Sequence, residues 1–224
     1  MKIFLVVFIV AIGALFSSCG SIEDLGSIAT TDYIKELYPL AIGNEWVVEV
    51  REFRPDASVL KIDTLHYLIG DTLVVNGHKA FQVFVNGEAK NVLYYDSTTD
   101  LYGLNSKTGL VLRHILHAPM TVGGSYDLKN SVSIIGTDTT INKEILTLTA
   151  QHASKTTPAG VFTDSCSVFE DVTLYGKSLA VDTTTMSISY YAPRVGNIYQ
   201  EDYAWNTNQK YLQYQTTLLS YIVK

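Results

Sequence analysis

The stretch TLVVNGHKAFQVFVNGEAKNVLYYD, residues 72–96, carries the fold in its rhythm. Runs in which apolar and polar residues alternate are interrupted by two Asn-Gly pairs, Asn76-Gly77 and Asn86-Gly87. Both residues of such a pair tolerate positive φ, which a two-residue hairpin turn of the primed type demands, so Asn-Gly is the strongest short hairpin signal. A tight hairpin forces its two strands to pair antiparallel. Alternation then gives each strand one apolar face and one wetter face.

The same rhythm extends in both directions. EWVVEVREF, LKIDTLHYLI, TLVVN, HKAFQVFVN, AKNVLYYD and GLVLRHILH read as strands before residue 120. VSIIG, EILTLTAQH, VFTDSCSVFEDVTLY, TMSISYY, NIYQEDYAW and YLQYQTTLLSYIV read as strands after it. They are rich in Val, Ile, Thr, Tyr and Phe, which suit a pleated, half-buried surface. The segment YIKELYPLAIGNEW supplies one short helical turn before Pro39, and no longer amphipathic helix occurs. About a dozen strands in one flat sheet would leave long open edges and too much accumulated twist. The expected fold is therefore a single all-β domain of antiparallel meandering strands over residues 33–224. Its sheet should be strongly curved or closed into an open barrel, with a two-sheet β-sandwich as the alternative.

The chain has 224 residues and a net charge of −6. An acidic balance of this size speaks against nucleic acid or anionic lipid as a partner. A chain of this length buries roughly 70% of its unfolded surface, enough for one core without covalent staples. Its N-terminus reads differently from the rest. Met1-Lys2 gives a positive start, and Ile3 to Phe16 is apolar but falls short of the about 20 residues a membrane helix needs. That combination describes a secretory signal. Phe16-Ser17-Ser18-Cys19 resembles the lipobox of bacterial lipoproteins, with Phe16 in place of the usual Leu. The resemblance implies cleavage after residue 18, a diacylglyceryl thioether on Cys19 and acylation of its new amino group. Two or three acyl chains hold a protein at a bilayer, because each buried methylene contributes about 0.8 kcal/mol. Residues 19–32 then form a lipidated, flexible tether. The expected location is the cell envelope, on the outer membrane, facing either the periplasm or the exterior; Glu23 and Asp24 faintly echo an acidic surface-export signal.

Two further blocks, YPLAIGNEWVVEV (Tyr38 to Val50) and YYAPRVGNIYQED (Tyr190 to Asp202), resemble a pattern found in envelope lipoproteins of the Bacteroidetes type. TPAGVFTDSCSV matches the way those chains enter a central strand. Arg194 stands where they usually carry glycine, which leaves the turn type there open. The resemblance implies a β-rich lipoprotein domain and no particular activity. Physically, Gly43-Asn44 suits a tight turn that aims Trp46 into the core, while Pro193 and Gly196 suit a corner.

Chemistry-bearing residues are scattered. With Cys19 lipidated, Cys166 has no disulfide partner, and its alternation with Phe162 and Val168 makes it a buried core thiol. Tyr190, Tyr191, Tyr199 and Tyr203 cluster in sequence and form a candidate aromatic ligand platform. His114 and His117 are three apart on an expected strand, which directs them to opposite faces, so no metal site and no cofactor are expected. Adjacent acids such as Glu170-Asp171 and Glu201-Asp202 point apart and cannot share a proton. No nucleophile-elbow, phosphate-loop or dinucleotide motif is present, so no enzyme is expected. Asp-Thr or Asp-Ser triplets begin at Asp63, Asp71, Asp96, Asp138 and Asp182; they resemble the acceptor of the Bacteroidetes O-glycosylation system, with Thr139 and Thr183 the leading loop candidates. The functional expectation is a lipid-anchored, non-enzymatic binding or interaction module. Two alternatives stay open: a carrier or sensor of a hydrophobic small molecule in an open barrel, and a glycan-binding surface module. Expected partners are the membrane through the N-terminal lipid and a glycan, lipid or protein of the envelope.

Overall fold

The structure, a computed structural model, describes residues 33–75, 77–96, 99–105, 112–135, 138–177, 180–206 and 209–224. The signal segment, Cys19 and the tether lie outside the described residues. A five-residue helix, α1 (Tyr33–Leu37), leads into β1 (Glu45–Phe53), β2 (Val59–Val75), β3 (His78–Val85), β4 (Glu88–Asp96), β5 (Asp100–Asn105) and β6 (Leu112–His117). The second half supplies β7 (Ser125–Ile135), β8 (Asp138–Thr157), β9 (Gly160–Lys177), β10 (Ala180–Ala192), β11 (Gly196–Asn206) and β12 (Gln209–Ile222).

All twelve strands belong to one antiparallel sheet in the order β6-β5-β4-β3-β2-β1-β12-β11-β10-β9-β8-β7. The fold is thus a curved, nearly closed barrel, and the sandwich alternative is set aside because the strands of the described residues all join one sheet. Every pairing but one joins strands consecutive in the chain. The exception is β1 with β12, which runs from Glu45↔Ile222 to Glu52↔Tyr214 with a bulge between Val47 and Val48. The first and last strands therefore meet in the middle of the sheet, and its two free edges are β6 and β7. These edges approach each other without a ladder. The rings of His117 and Tyr126 stack across them at 3.7 Å, forming a seam in the barrel wall.

Local chemistry explains the turns. Asn86 at φ 51° and Gly87 at φ 80° make the expected hairpin between β3 and β4. Gly43 takes φ 83° and donates its N–H to the Ile69 carbonyl. The adjacent Asn44 is fully buried, donates to the Pro39 carbonyl and accepts the Lys224 N–H, tying the start of β1 to the chain's end. At the other corner, Val195 N–H closes a turn onto the Ala192 carbonyl with Pro193 at its first corner. Arg194 sits at φ 63°, so the glycine-like conformation is adopted by an arginine.

The core lies on the inner face of the curve and includes Val48, Ile69, Phe81, Leu93, Leu101, Leu116, Leu148, Phe169 and Leu218. One end is capped by α1 and the segment 38–44. Ile34 and Leu37 bury completely, the Tyr38 ring packs on Trp46 and Tyr191, and Tyr95 of β4 donates its hydroxyl to the Tyr38 carbonyl while accepting the Leu40 N–H.

Several expected boundaries differ, and three of the differences are informative. LKIDTLHYLI and TLVVN are one continuous strand, β2, because Gly70-Asp71 forms an irregularity between Ile69 and Thr72 rather than a break. Gly70 is required there: the Phe84 ring comes within 2.3 Å of where a Cβ would sit. The segment DLYGLN, not expected as a strand, is β5, and VSIIG is only the end of a strand that starts at Ser125.

Candidate functional site

Inside the barrel, next to the cap, lies a cavity of about 320 Å³. One wall is aromatic and aliphatic: Tyr38 from the cap, Trp46 and Val48 from β1, Tyr67 and Ile69 from β2, Val83 from β3, Ile115 from β6 and Tyr191 from β10. The other wall is polar, with Asn197 and Gln200 from β11 and Thr216 from β12. Alternation explains the division, since Gln200 pairs with Thr216 on the inward face. Gln200 is held from both ends: its Oε1 accepts from Asn197 at 3.0 Å and its Nε2 donates to Asp202 at 2.7 Å. Trp46 is fixed by an indole N–H bond of 2.5 Å to the Val195 carbonyl. Burial pushes the Tyr38 phenol well above the ordinary tyrosine range and raises that of Tyr67, so both remain neutral at ordinary pH. The cavity is therefore uncharged where its apolar wall is, at the small end of the range for ligand pockets.

The four tyrosines expected as a platform do not form one surface. Adjacent strand residues face opposite ways, so Tyr191 enters the cavity and the core while Tyr190 points outward. Tyr190 and Tyr199 meet edge to face at 5.8 Å on the outer face. They are covered by the distal part of the β8–β9 hairpin, which bends where His152 and Asp164 take positive φ. Its tip docks through Ala159 N–H onto the Leu218 carbonyl, beside the β1–β12 bulge. Lys155 from this hairpin places Nζ 3.2 Å from the Tyr199 ring centre and 4.7 Å from that of Tyr190. Burial pulls its ammonium below the usual lysine range, with Glu201 acting against the shift. Glu201 accepts hydrogen bonds from the hydroxyls of both Tyr199 and Tyr203. Cys166 is fully buried beneath the same hairpin, as expected, and burial raises its thiol pKa.

The glycosylation candidates were read as loop residues. Thr139 lies instead in β8 opposite Ile134, and Thr183 in β10 opposite Leu174, each close to a hairpin end.

The premise that His114 and His117 diverge is corrected by the register. Across β5 and β6, Asp100 pairs with His117 and Leu101 with Leu116, but Tyr102 pairs with His114, which leaves Ile115 as an extra residue. This bulge turns Ile115 and Leu116 inward and brings both histidines to the outer face. His117 Nδ1 and His114 Nε2 each lie 2.7 Å from Asp100 Oδ1. Thr99 Oγ1 donates to Asp100 Oδ2 at 2.6 Å. Burial alone would raise the Asp100 pKa, but the Thr99 and His117 hydrogen bonds and the two imidazoles outweigh it and keep the carboxyl below its ordinary range. Burial lowers the pKa of His114. Stacked rings extend from this cluster over the outer face: Tyr102 on His114 at 4.5 Å, Tyr94 on Tyr102 at 5.6 Å and His78 on Tyr94 at 5.3 Å. Sequence reasoning missed this group because a three-residue spacing becomes same-sided only when a bulge intervenes.

The architecture defines the class: a nearly closed, capped twelve-stranded antiparallel barrel around a small aromatic cavity. No family model matches the chain, and none of the curated proteins matches it. Two solved structures are similar in fold. One, from Bacteroides fragilis NCTC 9343, is described as an exported protein with a YmcC-like fold; it is 14% identical over 83% of this chain and 98% of that one, with a TM-score of 0.48. The other, from Parabacteroides distasonis ATCC 8503, is described as a lipoprotein; it is 14% identical over the same shares, with a TM-score of 0.49.

Proposed function

We propose that this chain is a lipid-anchored protein of the cell envelope, held at the outer membrane through Cys19, that binds a small and mainly apolar molecule inside its barrel without catalysing a reaction. The cavity carries this reading. It is walled by Tyr38, Trp46, Tyr67 and Tyr191 on one side and by Asn197, Gln200 and Thr216 on the other. Such a division suits a ligand with an apolar body and one polar end directed at β11 and β12. The anchor reading rests on the lipobox-like Phe16-Ser17-Ser18-Cys19 after a short apolar run. The glycan-binding alternative draws less support, because Tyr191 is separated from the other three tyrosines and Tyr199 is covered by the β8–β9 hairpin.

Native mass spectrometry of the full chain, extracted from the producing cells in mild detergent, tests the binding role. A bound molecule in addition to the covalent lipid is expected, and it should be lost in Val83→Phe, which fills the cavity. A wild-type protein that carries no such molecule, and whose Trp46 fluorescence is unmoved by lipids or apolar metabolites of the envelope, would refute it. The anchor is tested separately: Cys19→Ser should move the protein from the membrane to the soluble fraction. Glycosylation at Thr139 or Thr183 predicts a mass of the native mature protein above that of polypeptide plus lipid, removed by Thr→Ala at those positions.

A further inference from the structure

We propose that Asp100, His114 and His117 form a binding site for a divalent transition-metal ion of the zinc type, on the outer face of the barrel beside its seam. Two imidazole nitrogens and one carboxylate oxygen converge, and the three donor atoms lie within 4.8 Å of one another. The donor set excludes calcium and magnesium, which require mostly oxygen ligands, and fits zinc, cobalt or nickel.

The arrangement is more than an ion pair. His117 Nδ1 makes a directed hydrogen bond to Asp100 Oδ1. His114 Nε2 approaches the same oxygen at 2.7 Å as an ion-pair contact, without the direction of a hydrogen bond. The His114 side chain is only 7% exposed, so water does not readily serve it. A buried ring nitrogen without a directed hydrogen bond, beside two other donors, is placed to ligate an ion. Ligands around a tetrahedral zinc ion stand about 3.3 Å apart, given bonds of about 2.0–2.1 Å. The 2.7 Å spacings therefore need to open by only about half an ångström.

The supporting groups are also those a metal site uses. Thr99 holds Asp100 Oδ2, which leaves Oδ1 for the cluster. Tyr102 stacks on the His114 ring, Tyr126 meets its edge at 5.3 Å, and Tyr126 stacks on His117. Ring orientation is thus set before any ion arrives, which is how neighbours of ligands tune affinity. Asp100 comes from β5, both histidines from β6, and their aromatic support from Tyr102 of β5 and Tyr126 of β7, so the site spans the last strands on one side of the seam and leans on the other edge. Three protein donors leave a fourth position open to water.

The test uses the full chain in detergent after removal of metals with a chelator. One Zn²⁺ per chain should bind by calorimetry, and Co²⁺ should give the visible d–d absorption of a four- or five-coordinate site. Asp100→Asn and His117→Gln, chosen to preserve shape, should each weaken binding by at least about tenfold. X-ray absorption on the zinc-loaded wild type should show two imidazoles and oxygen; this readout does not depend on any variant folding. Absence of stoichiometric binding, affinity unchanged in both variants, or a spectrum without imidazole scattering would each overturn the site. The cluster would then be a hydrogen-bonded network alone.

Discussion

Arg194 holds φ 63° at a corner where glycine is the easier occupant. A residue with a Cβ loses about 1–2 kcal/mol in this conformation. The compensation is local: its N–H donates to the Glu36 carbonyl at 2.6 Å, a bond that any residue supplies, and its guanidinium pairs with the Glu36 carboxylate at 3.3 Å. That pair is largely solvent-exposed, so it adds little. Arg194→Gly is expected to leave the thermal midpoint unchanged or slightly raised, whereas Arg194→Val, which adds a β-branch and keeps the strain, should lower it; melting curves of the two variants decide. Cys166 poses the opposite case, a residue for which the surroundings are right. It is fully buried, and Cys166→Ser places a hydroxyl in an apolar site at a cost of about 1–3 kcal/mol, measured by urea unfolding. Alkylation of the wild-type thiol should proceed at the rate of unfolding. Tyr203 is one of several tyrosines that shape alkaline behaviour: burial first, then its bond to Glu201, pushes its pKa from 10.0 up to about 12. The folded state therefore keeps a proton that the unfolded chain releases. Stability through this group is intact below pH 10.0 and falls as the pH rises towards about 12. Tyr203→Phe should flatten that decline in pH-dependent unfolding curves.

Elements show why part of this molecule was legible in its sequence and part was not. β1, β3 and β4 announced themselves because Val, Phe, Trp and Tyr dominate them and turn chemistry bounds them, Asn86-Gly87 above all. β5 was silent. DLYGLN carries Asp, Gly and Asn, which usually bound strands, and Gly103 is there because Ile115 Cδ1 occupies the space of its missing Cβ, at 2.6 Å. That reason lies in a partner strand and leaves no mark in the segment itself. The same contact accompanies the extra residue in β6, and the extra residue is what gathers His114 and His117 beside Asp100. Candidate chemistry was hidden wherever side-chain direction depended on a bulge. The cavity was hidden for another reason, since its walls come from seven strands and the cap. The bulge makes a sharp prediction. Deleting Ile115 sets His114 directly before Leu116, so Leu101↔Leu116 and Tyr102↔His114 become consecutive pairs, the ladder turns regular and both histidines stay on the outer face. The deletion variant should therefore stay folded and lose about as much stability by urea unfolding as Ile115→Ala, which removes the same inward side-chain volume at a cost of about 2–5 kcal/mol at most.

On the scale of the whole molecule, the chain closes its sheet at the wrong place for a simple meander. Consecutive strands pair along β1 to β6 and again along β7 to β12, and these contacts are local. The β1–β12 ladder is the one strand pairing of high sequence separation, bringing Trp46 opposite Tyr221 and Val48 opposite Leu218. The gap between β6 and β7 falls where the chain is continuous. Folding must therefore bring the two ends of the domain together before the centre of the sheet exists, and loop closure of that length slows it. Moving the break to the seam removes the problem. A circular permutant that joins the end of β12 to the start of α1 through a flexible linker, and opens the chain in the 118–124 connection, has strand order β7 to β12 followed by β1 to β6. Every ladder in it links consecutive strands, and the native contacts are unchanged. Its refolding rate, read by stopped-flow fluorescence of Trp46, should rise by about tenfold or more, while its unfolding rate stays near that of the parent chain. An unchanged refolding rate would mean that the transition state forms without β1 meeting β12, with each half-sheet organising first and the central joint closing after the barrier.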